Sequence, residues 1–218
     1  MFRMLPKWLI RKKRSKGHGV HSPFAFELIT KVIHSPHAYY AFYDIPDLLK
    51  ENNLNSARVT PFNHLSFRLV NHFKPKNILE IHSGQGINTL FLSAAAPASR
   101  LTCVEANQDS LDVARILLQN RLNAPPKPCW RQSVPDPREG PFDAIFVYTG
   151  GNDLPSVDTL LKLGHSDTFW VIHPIRRGSG KQFWKSIVNE ERAYVTFNNE
   201  GAGIVFPWPG LTPFHYWV

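Results

Sequence analysis

The first part of the chain carries hydrophobic residues at helical spacing. Apolar side chains recur every three or four residues between Phe24 and Ile33, and again between Leu65 and Phe73. Ser22 is followed by a proline, which predicts a helix that begins with a serine N-cap. The polar stretch 52–60 ends at another proline and predicts a loop. We therefore expect a helical segment over residues 19–76.

From residue 77 onward, short apolar runs alternate with helical stretches, a pattern typical of β-α-β units and a parallel sheet. The turn 199–201 is too short for a parallel crossover, so the strands on either side of it should form an antiparallel hairpin. The predicted strands span residues 77–81, 100–105, 128–132, 142–148, 168–173, 193–198 and 203–207. The predicted helices span residues 87–95, 110–121, 154–163 and 180–189. Residues 77–218 should thus form one α/β domain around a seven-stranded, mostly parallel sheet.

The composition is that of a globular domain, with 43% hydrophobic and 19% charged residues among 218. The longest apolar runs are far shorter than the roughly 20 residues that cross a bilayer. Cys103 and Cys129 lie in predicted strands and lack the spacing of metal ligands. We expect reduced thiols and a cytoplasmic location.

The formal charge of +8 is concentrated at the N-terminus. Seven lysines and arginines precede the first acidic residue, Glu27, so 18 basic and 17 acidic residues remain in the rest of the chain. A near-neutral domain behind a basic segment over residues 1–18 argues against nucleic acid as a partner. For the basic segment we favour a solvated terminus, and peripheral contact with an anionic membrane or RNA stays open.

A turn containing two glycines joins the strand 77–81 to the following helix. This geometry lets the backbone approach a ligand closely and offers free N–H groups at the start of the helix. Glu105 stands about nineteen residues after Gly86, at the end of the next predicted strand. Its carboxylate is suitably placed to accept hydrogen bonds from both hydroxyls of a ribose. The combination is more specific than a glycine motif alone.

The segment Glu80-Ile81-His82-Ser83-Gly84-Gln85-Gly86 resembles the E-x-G-x-G-x-G signature of class I S-adenosylmethionine-dependent methyltransferases, with His82 in place of the first glycine. Residues 16–24, 67–73 and 203–206 resemble segments of a bacterial branch of that superfamily that is frequent in Bacteroidetes. The resemblance covers nearly the whole chain. It implies a Rossmann-like class I methyltransferase fold and S-adenosyl-L-methionine as the cofactor.

The resemblance also implies positions for the cofactor. Gly84 and Gly86 would face its methionine part, Glu105 the ribose, Ala106 the face of the adenine and Ser133 its edge. The implied cofactor-binding residues are Glu80, His82, Ser83, Gly84, Gln85, Gly86, Glu105, Ala106 and Ser133.

The chain departs from that branch where acidic residues normally stand. Tyr148 replaces an aspartate at the end of the fourth strand, and His173-Pro174 replaces an aspartate pair after the fifth. In related O-methyltransferases these acids hold a divalent cation, so the resemblance implies a metal-independent enzyme without a metal site. An imidazole at His173 can act as a general base toward a hydroxyl or amine, with Tyr148 as the second candidate catalytic residue. A structural role for this histidine remains equally open.

These observations predict a methyltransferase that acts on a small-molecule acceptor. The side chain of His82 could narrow the methionine pocket, so a catalytically inactive binding or scaffolding protein is the alternative. Residues 176–180 could hold an acidic substrate or a phosphate, or simply lead into a helix. The aromatic C-terminal residues 206–217 should cover the sheet edge or form a homodimer contact.

Overall fold

The computed structural model describes residues 7–55, 58–121, 127–151 and 153–218. Its N-terminal part is helical, and the hydroxyl of Ser22 accepts the Ala25 N–H as the predicted N-cap. The second helix continues into one π-helical stretch, Leu28–Ile33. The helices are α1 Lys7–Arg14, α2 Pro23–Glu27, α3 Ala41–Glu51 and α4 Pro61–Phe73. The predicted loop 52–60 joins α3 to α4, with residues 56–57 lying outside the described residues.

One mixed sheet follows, in the order β3-β2-β1-β4-β5-β7-β6-β8. Strands β1 to β5 are parallel, and β7 runs antiparallel to both β5 and β6. The hairpin of β6 and β7 confirms the prediction from the short turn. The strands are β1 Asn77–Ile81, β2 Arg100–Val104, β3 Cys129–Arg131, β4 Ala144–Tyr148, β5 Phe169–His173, β6 Val195–Asn199, β7 Ala202–Phe206 and β8 Phe214–Trp217.

The predicted count of seven strands is wrong, because the described residues form eight, of which β8 was not predicted. It pairs in parallel with β6 and so covers what would otherwise be an unpaired edge. The Tyr216 ring stacks on Phe197 of β6 at 4.9 Å between ring centres. The aromatic C-terminus therefore covers the sheet edge by forming a strand of the sheet. The turn-rich residues before it did not predict this strand.

Helices cover both faces of the sheet. Alternate residues of β5 show the division: Phe169 and Val171 belong to the core beneath α2–α4, whereas Trp170 and Ile172 belong to the opposite core. The remaining helices are α5 Ile87–Ala95 and α6 Gln108–Arg121, which contribute to the first core, and α7 Val157–Leu163 and α8 Gly178–Val188, which contribute to the second. The carboxyl ends of the parallel strands stay accessible between these layers.

Helix α1 lies against β8. The Arg11 guanidinium donates a hydrogen bond to Asn198 Oδ1 at 2.7 Å, and the Arg14 guanidinium lies 5.5 Å from the ring centre of Phe214. The solvated terminus that we favoured is therefore wrong for these two arginines, because hydrogen bonding and cation–π contact attach them to the sheet edge. The boundaries 1–18, 19–76 and 77–218 stay a prediction.

Both cysteines are free thiols and lie in strands as predicted, Cys103 buried in β2 and Cys129 exposed in β3. Among the described residues, no helix is both long and apolar enough to cross a membrane.

Candidate active site

The glycine-containing turn connects β1 to α5 through three residues in the left-handed region. The φ angles are 59° at His82, 56° at Gly84 and 78° at Gly86. This conformation costs a residue with a β-carbon about 1–2 kcal/mol of conformational free energy, so His82 needs compensating contacts. Gly86 also packs closely on α6, where an added β-carbon would lie 2.9 Å from the Ala114 Cβ.

The His82 side chain has such contacts. Its Nδ1 lies 2.9 Å from the carbonyl oxygen of Tyr148. Because a carbonyl oxygen can only accept, Nδ1 carries a hydrogen and donates it to this oxygen. The ring packs on Gly151, where an added β-carbon would overlap it. A β-carbon built on Gly84 would meet nothing within 4 Å, so the imidazole leaves the space beside that glycine open.

Glu80, at the carboxyl-terminal part of β1, forms a buried hydrogen-bond network next to the glycine turn. Its carboxylate accepts hydrogen bonds from Thr89 Oγ1 at 2.5 Å and from Asn88 Nδ2 at 3.0 Å. The side-chain oxygen of Asn88 in turn accepts from Asn63 Nδ2 of α4 at 3.2 Å. Burial raises the pKa of Glu80 to about 7, even though its hydrogen bonds oppose that change. This buried polar network ties β1, α5 and α4 together beneath the turn.

Glu105 joins the end of β2 to the same turn. Its Oε2 accepts the Gly84 N–H at 2.7 Å, and its Oε1 accepts the Asn107 N–H at 2.8 Å. A carboxylate offers about four acceptor positions, so about two remain for further donors. Ala106, which follows Glu105, and Ser133, which follows β3, are both exposed.

A cavity of about 350 Å³ opens at the carboxyl ends of β1, β4 and β5. Both candidate catalytic residues, Tyr148 and His173, line it. Of the predicted cofactor-binding residues, five line this cavity: Glu80, His82, Ser83, Gly84 and Gln85. The other four, Gly86, Glu105, Ala106 and Ser133, lie outside its lining. The residues predicted from the sequence thus include one wall of the cavity and the ends of β4 and β5.

The sequence did not predict a further part of the cavity wall. It comes from the segment before α4 and from the first turn of that helix, where Arg58, Thr60, Phe62 and Asn63 line the cavity. The Arg58 guanidinium donates a hydrogen bond to the side-chain oxygen of Gln85, which closes the wall against the turn. The proline at residue 61 signalled where this helix begins, but no local pattern shows which strand ends a helix faces.

His173 is held in a defined orientation at the end of β5. Its Nδ1 lies 3.1 Å from the carbonyl oxygen of Gly201, and its ring stacks on Phe62 at 4.2 Å between ring centres. Burial lowers the pKa of His173 below its usual value. The imidazole is therefore neutral at pH 7, with the hydrogen on Nδ1 and the lone pair on Nε2. The ring centre of Tyr148 lies 6.0 Å away.

A second cavity, of about 410 Å³, shares Thr60, Phe62 and His173 with the first. Its lining includes Arg68, His34 and the exposed Glu200. The Arg68 guanidinium donates to the carbonyl oxygen of Ile33 at 3.1 Å and forms no ion pair within the described residues. The two cavities share His173, so one imidazole borders both.

Among the residues that the structure describes, no cluster of three or more histidine, cysteine, aspartate or glutamate side chains could hold a metal ion. The sequence-based expectation of a metal-independent enzyme stays a prediction.

Comparison with known proteins relates the chain to methyltransferases through structure. No protein-family model matches this sequence, and no curated protein matches it either. A Podospora anserina methyltransferase bound to S-adenosylhomocysteine superposes with a TM-score of 0.59 at 12% identity, over 94% of this chain and 98% of that one. A Bacillus cereus O-methyltransferase, also in complex with S-adenosylhomocysteine, gives 0.53 at 19% identity over 78% and 92%.

A third match is an O-methyltransferase of Streptomyces achromogenes involved in tomaymycin synthesis. This protein was solved with S-adenosylmethionine and gives a TM-score of 0.52 at 16% identity, over 78% of this chain and 90% of that one. At these identities the matches establish the fold. The chain has the Rossmann-like fold of S-adenosylmethionine-dependent methyltransferases.

Proposed function

We propose that the chain is a methyltransferase that uses S-adenosyl-L-methionine to methylate a small-molecule acceptor without a metal ion. The observation that carries this proposal is the cavity at the carboxyl ends of β1, β4 and β5. One wall is the glycine turn, and the far end is the oriented imidazole of His173. In open α/β sheets, ligands bind outside the carboxyl ends of the strands.

The residues present are compatible with the cofactor. The open space beside Gly84 admits a ligand close to the backbone, and the unused acceptor positions of Glu105 suit the hydroxyls of a ribose. The cavity lies near the lower end of the range of about 300–1,000 Å³ typical of ligand sites. We propose that it takes the methionine part and the reacting group of the acceptor. The adenosine part would lie outside it, at Glu105, Ala106 and Ser133.

When bound, the cofactor supplies an electrophilic methyl group on a sulfonium. The chain supplies the base: Nε2 of His173 accepts the proton of an acceptor hydroxyl or amine. The Gly201 carbonyl fixes the tautomer of this imidazole, and the Phe62 ring fixes its plane. Tyr148 borders the same space at the end of β4. No aspartate stands at these two strand ends, so positioning and His173 replace activation by a metal ion.

The second cavity is the place we propose for the body of the acceptor. An acceptor bound there would contact His173, which borders the first cavity as well. Three predictions remain part of this proposal: that the chain belongs to the Bacteroidetes-type branch, that it is cytoplasmic and that it forms a homodimer.

Transfer of a labelled methyl group tests the proposal. Purified protein is incubated with S-adenosylmethionine labelled on its methyl group and with fractionated small-molecule extracts, with and without EDTA. We expect label in a small-molecule fraction, unaffected by EDTA and lost in His173→Gln. Transfer that EDTA abolishes contradicts metal independence, and transfer that survives His173→Gln contradicts the base.

The alternative is a methyltransferase-fold protein that has lost catalysis and serves as a binding or scaffolding module. The hydrogen bond between Glu105 and the Gly84 N–H favours it, because this bond already occupies an oxygen of the carboxylate that would contact the ribose. Failure to bind either S-adenosylmethionine or S-adenosylhomocysteine would decide for this alternative.

A further inference from the structure

A third cavity, of about 410 Å³, lies beside α8 and shares no lining residue with the two cavities described above. Its walls are α8, the loop after β5 and the ends of β6 and β8. Four basic side chains line it: Arg11, Arg176, Lys181 and Lys185. The basic N-terminal segment and the loop 176–180, which the methyl-transfer site does not use, therefore meet here.

These four cations border one cavity that offers them no acidic partner among its described lining residues. The described lining contains no aspartate or glutamate, and within the described residues none of the four forms an ion pair. Burial and then the positive charge of Arg176 lower the pKa of Arg11, while Glu200, outside the lining, acts in the opposite direction. Like charges held around one cavity repel each other, and a bound anion would relieve that repulsion.

The floor of the cavity is apolar. One face of α8 carries two lysines together with a tryptophan and a valine at helical spacing: Lys181, Trp184, Lys185 and Val188. Trp184 and Ile175 are buried, at 6% and 3% exposed, so the accessible apolar surface of the lining comes from the half-buried Val188 and Trp217. An inorganic anion would satisfy the cations but leave these two side chains in contact with water, so the ligand should also carry an apolar part.

We propose that this cavity binds a phosphate group carried on an apolar body, with the phosphate among the four cations and the apolar part on Val188 and Trp217. Two guanidinium groups and two ammonium groups match the charge and the several acceptor oxygens of a phosphate. The same chemistry is offered by a membrane phospholipid and by a soluble phosphate ester. This site is separate from the proposed methyl-transfer site, and the proposal does not depend on methyl transfer.

Titration calorimetry tests the proposal with octyl phosphate and inorganic phosphate as probes. We expect saturable binding of octyl phosphate, at least about tenfold tighter than inorganic phosphate because part of the chain is buried. The double variant Lys181→Gln/Lys185→Gln should weaken the binding about tenfold or more, through loss of charge-assisted hydrogen bonds. The control Lys127→Gln/Lys162→Gln removes the same charge from exposed lysines outside the cavity and should retain the wild-type affinity.

All four substituted lysines are exposed, so the variants should unfold at the same temperature as the wild type. Equal losses in the two double variants would mean attraction by net charge alone and would overturn the proposal. Equal affinity for octyl phosphate and inorganic phosphate would overturn the assignment of the apolar floor.

Sedimentation with vesicles containing phosphatidic acid then distinguishes the two sources of ligand. If the site takes a membrane lipid, wild type and control sediment with the vesicles and the Lys181/Lys185 variant does not. If it takes a soluble ester, octyl phosphate binds but all three proteins stay in the supernatant.

Discussion

Glu80 provides a test of the buried network beneath the glycine turn that needs no knowledge of the acceptor. Its pKa rises from 4.5 to about 7 because the carboxyl is buried. Between these two values the folded chain binds a proton that the unfolded chain has lost, so the free energy of unfolding falls as pH rises from about 4.5 to 7. The difference corresponds to about 3 kcal/mol, at about 1.36 kcal/mol for each pH unit.

The perturbation is Glu80→Gln, which keeps the shape of the side chain and does not ionise. Urea unfolding of both proteins at pH 5, 6, 7 and 8 measures the difference. We expect the two to agree within about 1 kcal/mol at pH 5 and the glutamine variant to be more stable by about 3 kcal/mol at pH 8. The exposed Glu191→Gln is the control and should follow the wild type at every pH. A difference that does not change with pH would refute the reasoning, because it would mean that burial does not perturb this carboxyl.

Three further predictions concern the site and the sheet. Glu105→Gln replaces one acceptor oxygen by a donor next to the Gly84 N–H, so the affinity for S-adenosylhomocysteine in calorimetry should fall about tenfold; unchanged affinity would remove Glu105 from the cofactor site. In an NMR titration, the His173 ring should protonate with a midpoint below 6.5, and a midpoint at or above that value would contradict the effect of burial. Gly203→Ala puts a methyl group into the Trp184 ring, so urea unfolding should show a loss of about 1–3 kcal/mol, and no loss would contradict the close packing of α8 on β7.

The local features around the glycine turn could be predicted from the sequence. The bounds of the strand 77–81 and of the helix 87–95 agree with the structure, because apolar periodicity and turn residues act within a few positions. The hairpin of β6 and β7 was predictable for the same reason. Tyr148 and His173 were predicted at the ends of the fourth and fifth strands, and the parallel pairing of β4 with β5 places them side by side.

The features that the sequence did not reveal depend on long-range packing. The eighth strand pairs with β6 only once the sheet exists, and the wall formed by Phe62 depends on how α4 packs across the sheet. The orientation of the His82 ring was equally beyond prediction. It is set by the Tyr148 carbonyl, 66 positions away along the chain. This bond directs the imidazole toward residue 151, and a β-carbon built on Gly84 would meet nothing within 4 Å.

Binding of S-adenosylhomocysteine to the purified full chain, measured by calorimetry, tests the central claim most directly. The account predicts saturable binding of one molecule per chain, weakened by Glu105→Gln and retained in His173→Gln, which lacks the base but keeps the glycine turn. Absence of heat with folded wild-type protein at millimolar ligand would contradict the account and would identify the chain as a methyltransferase fold without its cofactor.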